Sequence, residues 1–191
     1  MADNLSDQVD VCEQAILAAI LEMLRAHESY IGSIKRTGRG ELPISGIALE
    51  LFPWYGGLGL SLRLQSDFPL GQARYDSADW PHFDFTQGCV TPTTEAAIAQ
   101  VTQLYQRGKH PPLTLCETAH LAFLAGARAL LNPAVARLLN EFEIRAPEIT
   151  DSFVSSPFQY ILTDADQTIK SNYCDIVLSE RVAKRLLGGK T

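Results

Sequence analysis

The sequence predicts an α+β fold, a single domain over residues 1–191. In it an antiparallel sheet, built on a hairpin over about residues 44–65 plus short strands, is covered on one side by helices. Three observations predict it. Leu58, Leu60, Leu62 and Leu64 alternate with Gly59, Ser61, Arg63 and Gln65, the period of two that buries one strand face and solvates the other. Apolar residues recur at steps of three and four near the N-terminus and through the second half, the spacing that lines one face of a helix. The order of these patterns is helix, strands, helices, strand, helix, which differs from the strict alternation of a parallel α/β sheet.

The first helix starts near Ser6 or Asp7 and runs to about His27, with Leu5, Val9, Cys12, Ile16, Ile20, Met23 and Leu24 on its apolar face. Asp7, Asp10 and Glu13 suit its positive end, and His27 falls at the edge of the stripe as a boundary residue. From Ile31 to Gly40 the pattern decays into a basic, glycine-containing, solvated loop. A strand follows over 44–52, with Ile47, Leu49 and Leu51 on one face. Pro53-Trp54-Tyr55-Gly56-Gly57 then breaks the ladder and supplies glycines for positive φ, so the two strands form a hairpin. Residues 67–71 read as a loop, and Arg74 to Phe85 as a turn leading into a short third strand.

In the second half, Thr93 or Thr94 caps a helix carrying Ile98, Val101, Leu104 and Tyr105. Thr114 and Glu117 have capping-box spacing at the head of the next helix. That helix is apolar nearly all round through Ala119–Leu131, the mark of the most buried one. Asn132-Pro133 closes it and opens another with Val135, Leu138, Leu139 and Phe142. Residues 144–157 read as loop, Phe158, Tyr160 and Leu162 as a strand, and Ser179 as the cap of a last short helix stopped by Gly188-Gly189.

The net charge of −6 over 191 residues, with lysine and arginine scattered, argues against nucleic acid as a partner. Cys12, Cys89, Cys116 and Cys174 are far apart, without a paired-cysteine metal motif. Cys12 and Cys116 fall in apolar helical patterns, where a cysteine is usually a small buried hydrophobe, and Cys89 reads as an exposed loop residue. No run reaches the ~18 apolar residues of a membrane span, and the acidic N-terminus lacks the layout of a signal peptide. These features predict a cytoplasmic protein that needs no cofactor.

Each motif that invites chemistry has a plainer reading. Gly56-Gly57-Leu58-Gly59 precedes strand pattern rather than a helix, so it is a hairpin turn and not a phosphate loop. Glu117 and His120 have Glu-x-x-His spacing, but a carboxylate-bridged metal bundle needs a second copy, and Glu117 has a capping task. Asp164, Asp166, Thr168, Lys170 and Asp175 follow a calcium-loop rhythm in which Ile169 replaces the glycine of the sharp turn, so this is an Asp-rich turn. No metal site is expected. In Asp79-Trp80-Pro81-His82-Phe83-Asp84-Phe85, an extended backbone would put Trp80, His82 and Asp84 on one face.

The segments Ala15–Leu21, Gly46–Leu51 and Arg74-Tyr75-Asp76-Ser77-Ala78-Asp79-Trp80 resemble a bacterial family of uncharacterised α+β proteins, some of them associated with polymorphic-toxin immunity loci. The resemblance covers about the first 85 residues, and the asparagine- and glutamate-rich segment usual before Arg74 in that family is missing. It implies an interaction protein and carries no catalytic residues. The expectation from the residues is similar: a protein-binding domain of immunity or regulatory type, or a homo-oligomer, with Trp54, Tyr55, Trp80, His82 and Asp84 as binding residues. The alternative is a small hydrolase-like enzyme using His82 with Asp84, Asp79 or Cys89.

Overall fold

The computed structural model describes residues 4–37, 44–65, 77–109, 112–149, 157–164 and 171–188. Helix α1 spans Leu5–Ala26, where the Asn4 side chain caps the first turn by accepting from the Ser6 N–H. Val9, Cys12, Ile16, Ile20, Met23 and Leu24 are buried along it, as their spacing predicts. The expected loop after Ile31 is instead largely helix α2, Glu28–Thr37. Ile31 and Ile34 are buried in the core. Lys35 donates to the Phe142 carbonyl at 2.8 Å and pairs with Glu143 at 2.6 Å, so a long-range anchor holds part of a stretch that looks solvated in sequence. Residues 38–40 of that stretch lie outside the described residues.

Strands β1 (Ile44–Phe52) and β2 (Gly57–Leu64) form the predicted antiparallel hairpin. Its register sets Ile47 opposite Leu62, Leu49 opposite Leu60 and Leu51 opposite Leu58, which gives one leucine-lined face. Gly56 takes φ 72° in the turn, a backbone that side chains disfavour. The third strand, β3 (Gln159–Ile161), pairs with the other edge of β1 and runs parallel to it. The sheet is therefore mixed, in the order β2-β1-β3, rather than antiparallel throughout. The chain reaches β3 through a helical crossover, and such a connection permits parallel pairing where a tight turn does not.

The expected third strand in Arg74–Phe85 is a correction as well. Residues 74–76 are outside the described residues, and Ser77–Asp79 form a 3-10 turn. Beyond that turn the ladder to β2 is a single bridge, between His82 and Leu62. Pro81 has no N–H to donate and Asp84 takes φ 39°, so a longer ladder is broken. This segment runs along the β2 edge, where the Phe85 N–H donates to the Leu60 carbonyl.

Helices α3 (Pro92–Gln106), α4 (Leu115–Leu130), α5 (Pro133–Glu141) and α6 (Tyr173–Gly188) complete the described fold. Thr91 caps α3, with Thr94 three residues in as its reciprocal partner. Thr114 and Glu117 form the predicted capping box on α4. Helix α4 contacts both β1 and α1, and this central position accounts for its all-round apolar composition. At the sheet contact, a Cβ on Gly126 would meet methyls of Leu49, Leu51 and Leu162 at 3.0–3.1 Å, so glycine permits the close approach. Ser179 lies inside α6 and does not cap it; the Asn172 side chain does, by accepting from the Cys174 N–H.

The second face of the sheet is polar, as predicted, but it is not solvated. Glu50, Ser61 and Arg63 are buried. The Ser61 hydroxyl donates to Glu50 at 2.6 Å and accepts from the Asp84 N–H at 2.8 Å. Arg63 hydrogen-bonds to Gln159 across the sheet. Ser61 and Glu50 thus satisfy each other, and Gln159 holds the Arg63 guanidinium, which lets these groups be buried.

Candidate functional site

The hairpin turn, the start of α4 and the start of α6 converge on an open groove of about 570 Å³. From the turn comes Trp54, half-buried and in edge contact with Phe123 at 6.2 Å between ring centroids. From α4 come Cys116, Ala119, His120 and Phe123, at the three- and four-residue steps that share one helical face. From α6 comes Tyr173, which packs on Phe123 at 5.0 Å. Tyr105 of α3, with Leu113 and Leu115, extends the apolar wall, and Asp164 stands just beyond β3.

Asn172 sets the position of Tyr173. Its side-chain carbonyl accepts from the Leu162 and Cys174 N–H groups, and its amide donates to the Tyr160 carbonyl at 2.9 Å. The buried side chain thus caps α6 and continues the hydrogen bonding of β3 at once, fixing the helix start against the sheet.

The groove carries few polar groups, and most retain hydrogen-bonding capacity. His120 Nδ1 and the Tyr173 hydroxyl hydrogen-bond at 3.1 Å, while Nε2 of His120 has no partner among the described residues. The Trp54 indole N–H and the Tyr105 hydroxyl make no hydrogen bond among the described residues either. Burial, and next the Asp164 carboxylate, push the Tyr173 phenol up to about 12. Glu117 is held below the usual carboxylate range by the Thr114 N–H and hydroxyl, both of which donate to it.

A ladder of rings leads from the surface into this groove. Tyr55, 67% exposed, stacks on Phe52 at 5.1 Å and meets Trp54 edge-on at 6.0 Å. Trp54 contacts Phe123, Phe123 contacts Tyr173, and Tyr173 contacts His120 at 5.3 Å.

The five residues expected to bind fall into separate groups. Trp54 and Tyr55 belong to the ring ladder. Trp80 is 3% exposed and packs with Ala48 and Ile161 on the second sheet face, so it presents no surface. His82 Nδ1 hydrogen-bonds with the Tyr30 hydroxyl at 3.0 Å. Asp84 sits beside Thr86, and burial raises its carboxyl. The backbone from Trp80 to Asp84 turns rather than extending, so these residues do not share the predicted face. Neither Asp84 nor Cys89 hydrogen-bonds to His82, and Cys89 packs half-buried against the core.

Cys12 is buried as its pattern predicts, and burial pushes its thiol up to about 12. Cys116 is the opposite case: it is exposed at the groove, because the first turn of α4 extends beyond the packed layers. Among the described residues no cluster of His, Cys, Asp or Glu is arranged to hold a metal ion. No single helix among them is long and apolar enough to cross a membrane.

His120 stands out in the sequence for its spacing from Glu117, a pairing that hides its real neighbours. Nothing local marks Tyr173 or Trp54 as belonging beside it. The available signal was the unexplained aromatic content of two chain breaks, the hairpin turn and the α6 start.

Comparison with known proteins adds no name to this site: no family model, curated protein or solved structure matches the chain.

Proposed function

We propose that this chain is a protein-binding domain, of immunity or regulatory type, whose working surface is the aromatic groove and the Tyr55 tip beside it. The observation that carries the reading is the run of ring contacts from exposed Tyr55 through Trp54 and Phe123 to Tyr173. Binding anchors are enriched in tryptophan and tyrosine, because such side chains bury a large area at a small cost in rotamer freedom. Tyr55 is 67% exposed, with half-buried Trp54 beside it and half-buried Tyr105 across the groove, and contiguous exposed apolar area of this kind marks interaction sites. The occupant is a short apolar segment of another protein. The net charge of −6 favours one with basic flanks, through electrostatic steering of the encounter.

The test is selection of a random displayed-peptide library on the purified protein, followed by affinity measurement on two groove-blocked forms. One is Ala119→Trp, which fills the groove from α4; the other carries a bulky maleimide on Cys116. Enriched peptides should lose at least about tenfold in affinity for both blocked forms. Failure to enrich any peptide, or peptides that bind the blocked forms equally well, overturns the reading.

A further inference from the structure

The hydrogen bond between the Tyr173 hydroxyl and His120 Nδ1 fixes which ring nitrogen of His120 carries a proton. Tyr173 is 1% exposed, and its hydroxyl has no other hydrogen-bond partner among the described residues. A buried O–H left without an acceptor is costly. The hydroxyl therefore donates to Nδ1, and a neutral imidazole that accepts at Nδ1 bears its proton on Nε2. Protonation of the whole ring leaves Nε2 a donor as well. Only the Nδ1–H tautomer makes Nε2 an acceptor, and that form strands the Tyr173 proton.

His120 is half-buried on the wall of the groove. Its Nε2 has no hydrogen bond among the described residues and is not one of the buried side-chain atoms left without one, so it stays open to the groove. The half-buried Trp54 indole supplies a second N–H. No lysine or arginine is among the described lining residues, and the Glu117 carboxylate stands at the exposed mouth. The groove thus offers neutral donors in an apolar setting, which suits a neutral acceptor better than a carboxylate.

A peptide laid along such a groove takes main-chain carbonyls out of water, and each then needs a donor. Resting on the reading that this groove binds a segment of another protein, we infer that His120 is a binding residue whose Nε2–H donates to a main-chain carbonyl of that segment. Tyr173 acts through it, as a positioning residue that holds the tautomer. Every residue of a peptide offers a carbonyl, so this bond sets the register of the segment while the apolar walls select its side chains.

The test has two parts. Long-range proton–nitrogen spectra of the histidine side chains, with His120 assigned by its loss in His120→Gln, should show the neutral ring protonated on Nε2. A proton on Nδ1 overturns the inference and leaves the groove as the binding surface. Tyr173→Phe should admit the Nδ1–H form as well; an unchanged ring overturns the positioning role of Tyr173.

The second part titrates N-phenethylacetamide and its thioamide counterpart, a weaker acceptor of similar shape, while the two tryptophan indole N–H resonances are followed. Trp54 reports the groove, and Trp80, packed with Ala48 and Ile161, is the internal reference. The amide should shift Trp54 without shifting Trp80 and should bind about fivefold more tightly than the thioamide. That preference should vanish in His120→Leu and return in His120→Gln, whose side-chain N–H reaches a similar position. Equal affinities on the wild-type protein, or a preference that survives His120→Leu, overturn the inference while the Trp54 shift upholds the groove. A shift of Trp54 by neither probe also overturns it, and the peptide selection then judges the groove independently. Should His120→Leu fail to fold, the tautomer and the two wild-type affinities decide alone.

Discussion

The Tyr173 hydroxyl and His120 Nδ1 meet at 3.1 Å although 53 positions of chain separate them. The bond joins the start of α6 to the first half of α4 and closes the polar end of the groove. Both residues also touch through their rings, at 5.3 Å between centroids.

Replacing Tyr173 by phenylalanine should therefore separate the hydrogen bond from the packing. The ring contact with Phe123 survives and the bond to His120 is lost. A destabilisation of about 1 kcal/mol is expected from urea unfolding. Tyr105→Phe is the control, since that hydroxyl makes no hydrogen bond among the described residues and its loss should change stability by well under that amount. Equal effects of the two substitutions would deny the bond a structural role.

Asn172→Ala removes three hydrogen bonds from a buried position and leaves the Tyr160 carbonyl and the Leu162 N–H without their partner. The cost should be on the order of 3 kcal/mol. The helix start carrying Tyr173 should loosen before the rest of the chain, so hydrogen exchange at Leu162 and Cys174 should accelerate more than at Ile47 in β1. Uniform acceleration would show that the clamp is not local.

Alkaline pH should unfold the protein. Burial raises the Cys12 thiol from 9.0 and the Tyr173 phenol from 10.0, each to about 12, and raises Cys174 and Tyr160 as well. Between the ordinary and the raised values the folded chain keeps protons that the unfolded chain has released. The folded state then binds more protons, and stability falls as pH rises. That contribution is intact below the unfolded values and is lost through the window from pH 9.0 to about 12. Urea midpoints should be level near neutrality and decline above pH 9.0. The part of the phenolate absorbance that Tyr173→Phe removes should appear only with unfolding; its appearance in the native protein near pH 10.0 would contradict the burial.

Thiol labelling should follow exposure. Cys116 should react first, Cys89 next, and Cys12 and Cys174 only on unfolding. The gap between Cys116 and the buried pair should be at least about tenfold in rate, read by mass spectrometry of peptides. A groove-bound peptide should slow Cys116 alone. Fast labelling of Cys12 would mean that α1 is not seated as described.

Short-range physics made much of the fold legible. The alternating leucines of 58–64 specify a strand because the strand period is two. Thr114 and Glu117 specify a helix start because their side chains bond the first turn whatever lies around it. The residues 28–37 were less legible: Ile31 and Ile34 give only two apolar positions, and Lys35 finds Phe142 and Glu143 more than a hundred residues away. The direction of β3 was not legible at all, since Tyr160 alternates with its neighbours equally well in a parallel or an antiparallel pair.

The candidate site shows the same division more sharply. The sequence by itself determined the α+β class, the hairpin, the Thr114–Glu117 capping box and the central place of α4, all of which follow from periodicity and local hydrogen bonding. The tertiary structure alone decided that Trp80 is buried while Tyr55 is exposed, that Cys116 opens to solvent, and that Trp54, His120, Asp164 and Tyr173 share one groove. Those outcomes depend on which surfaces the packed layers leave uncovered, and residues far apart in the chain set that jointly.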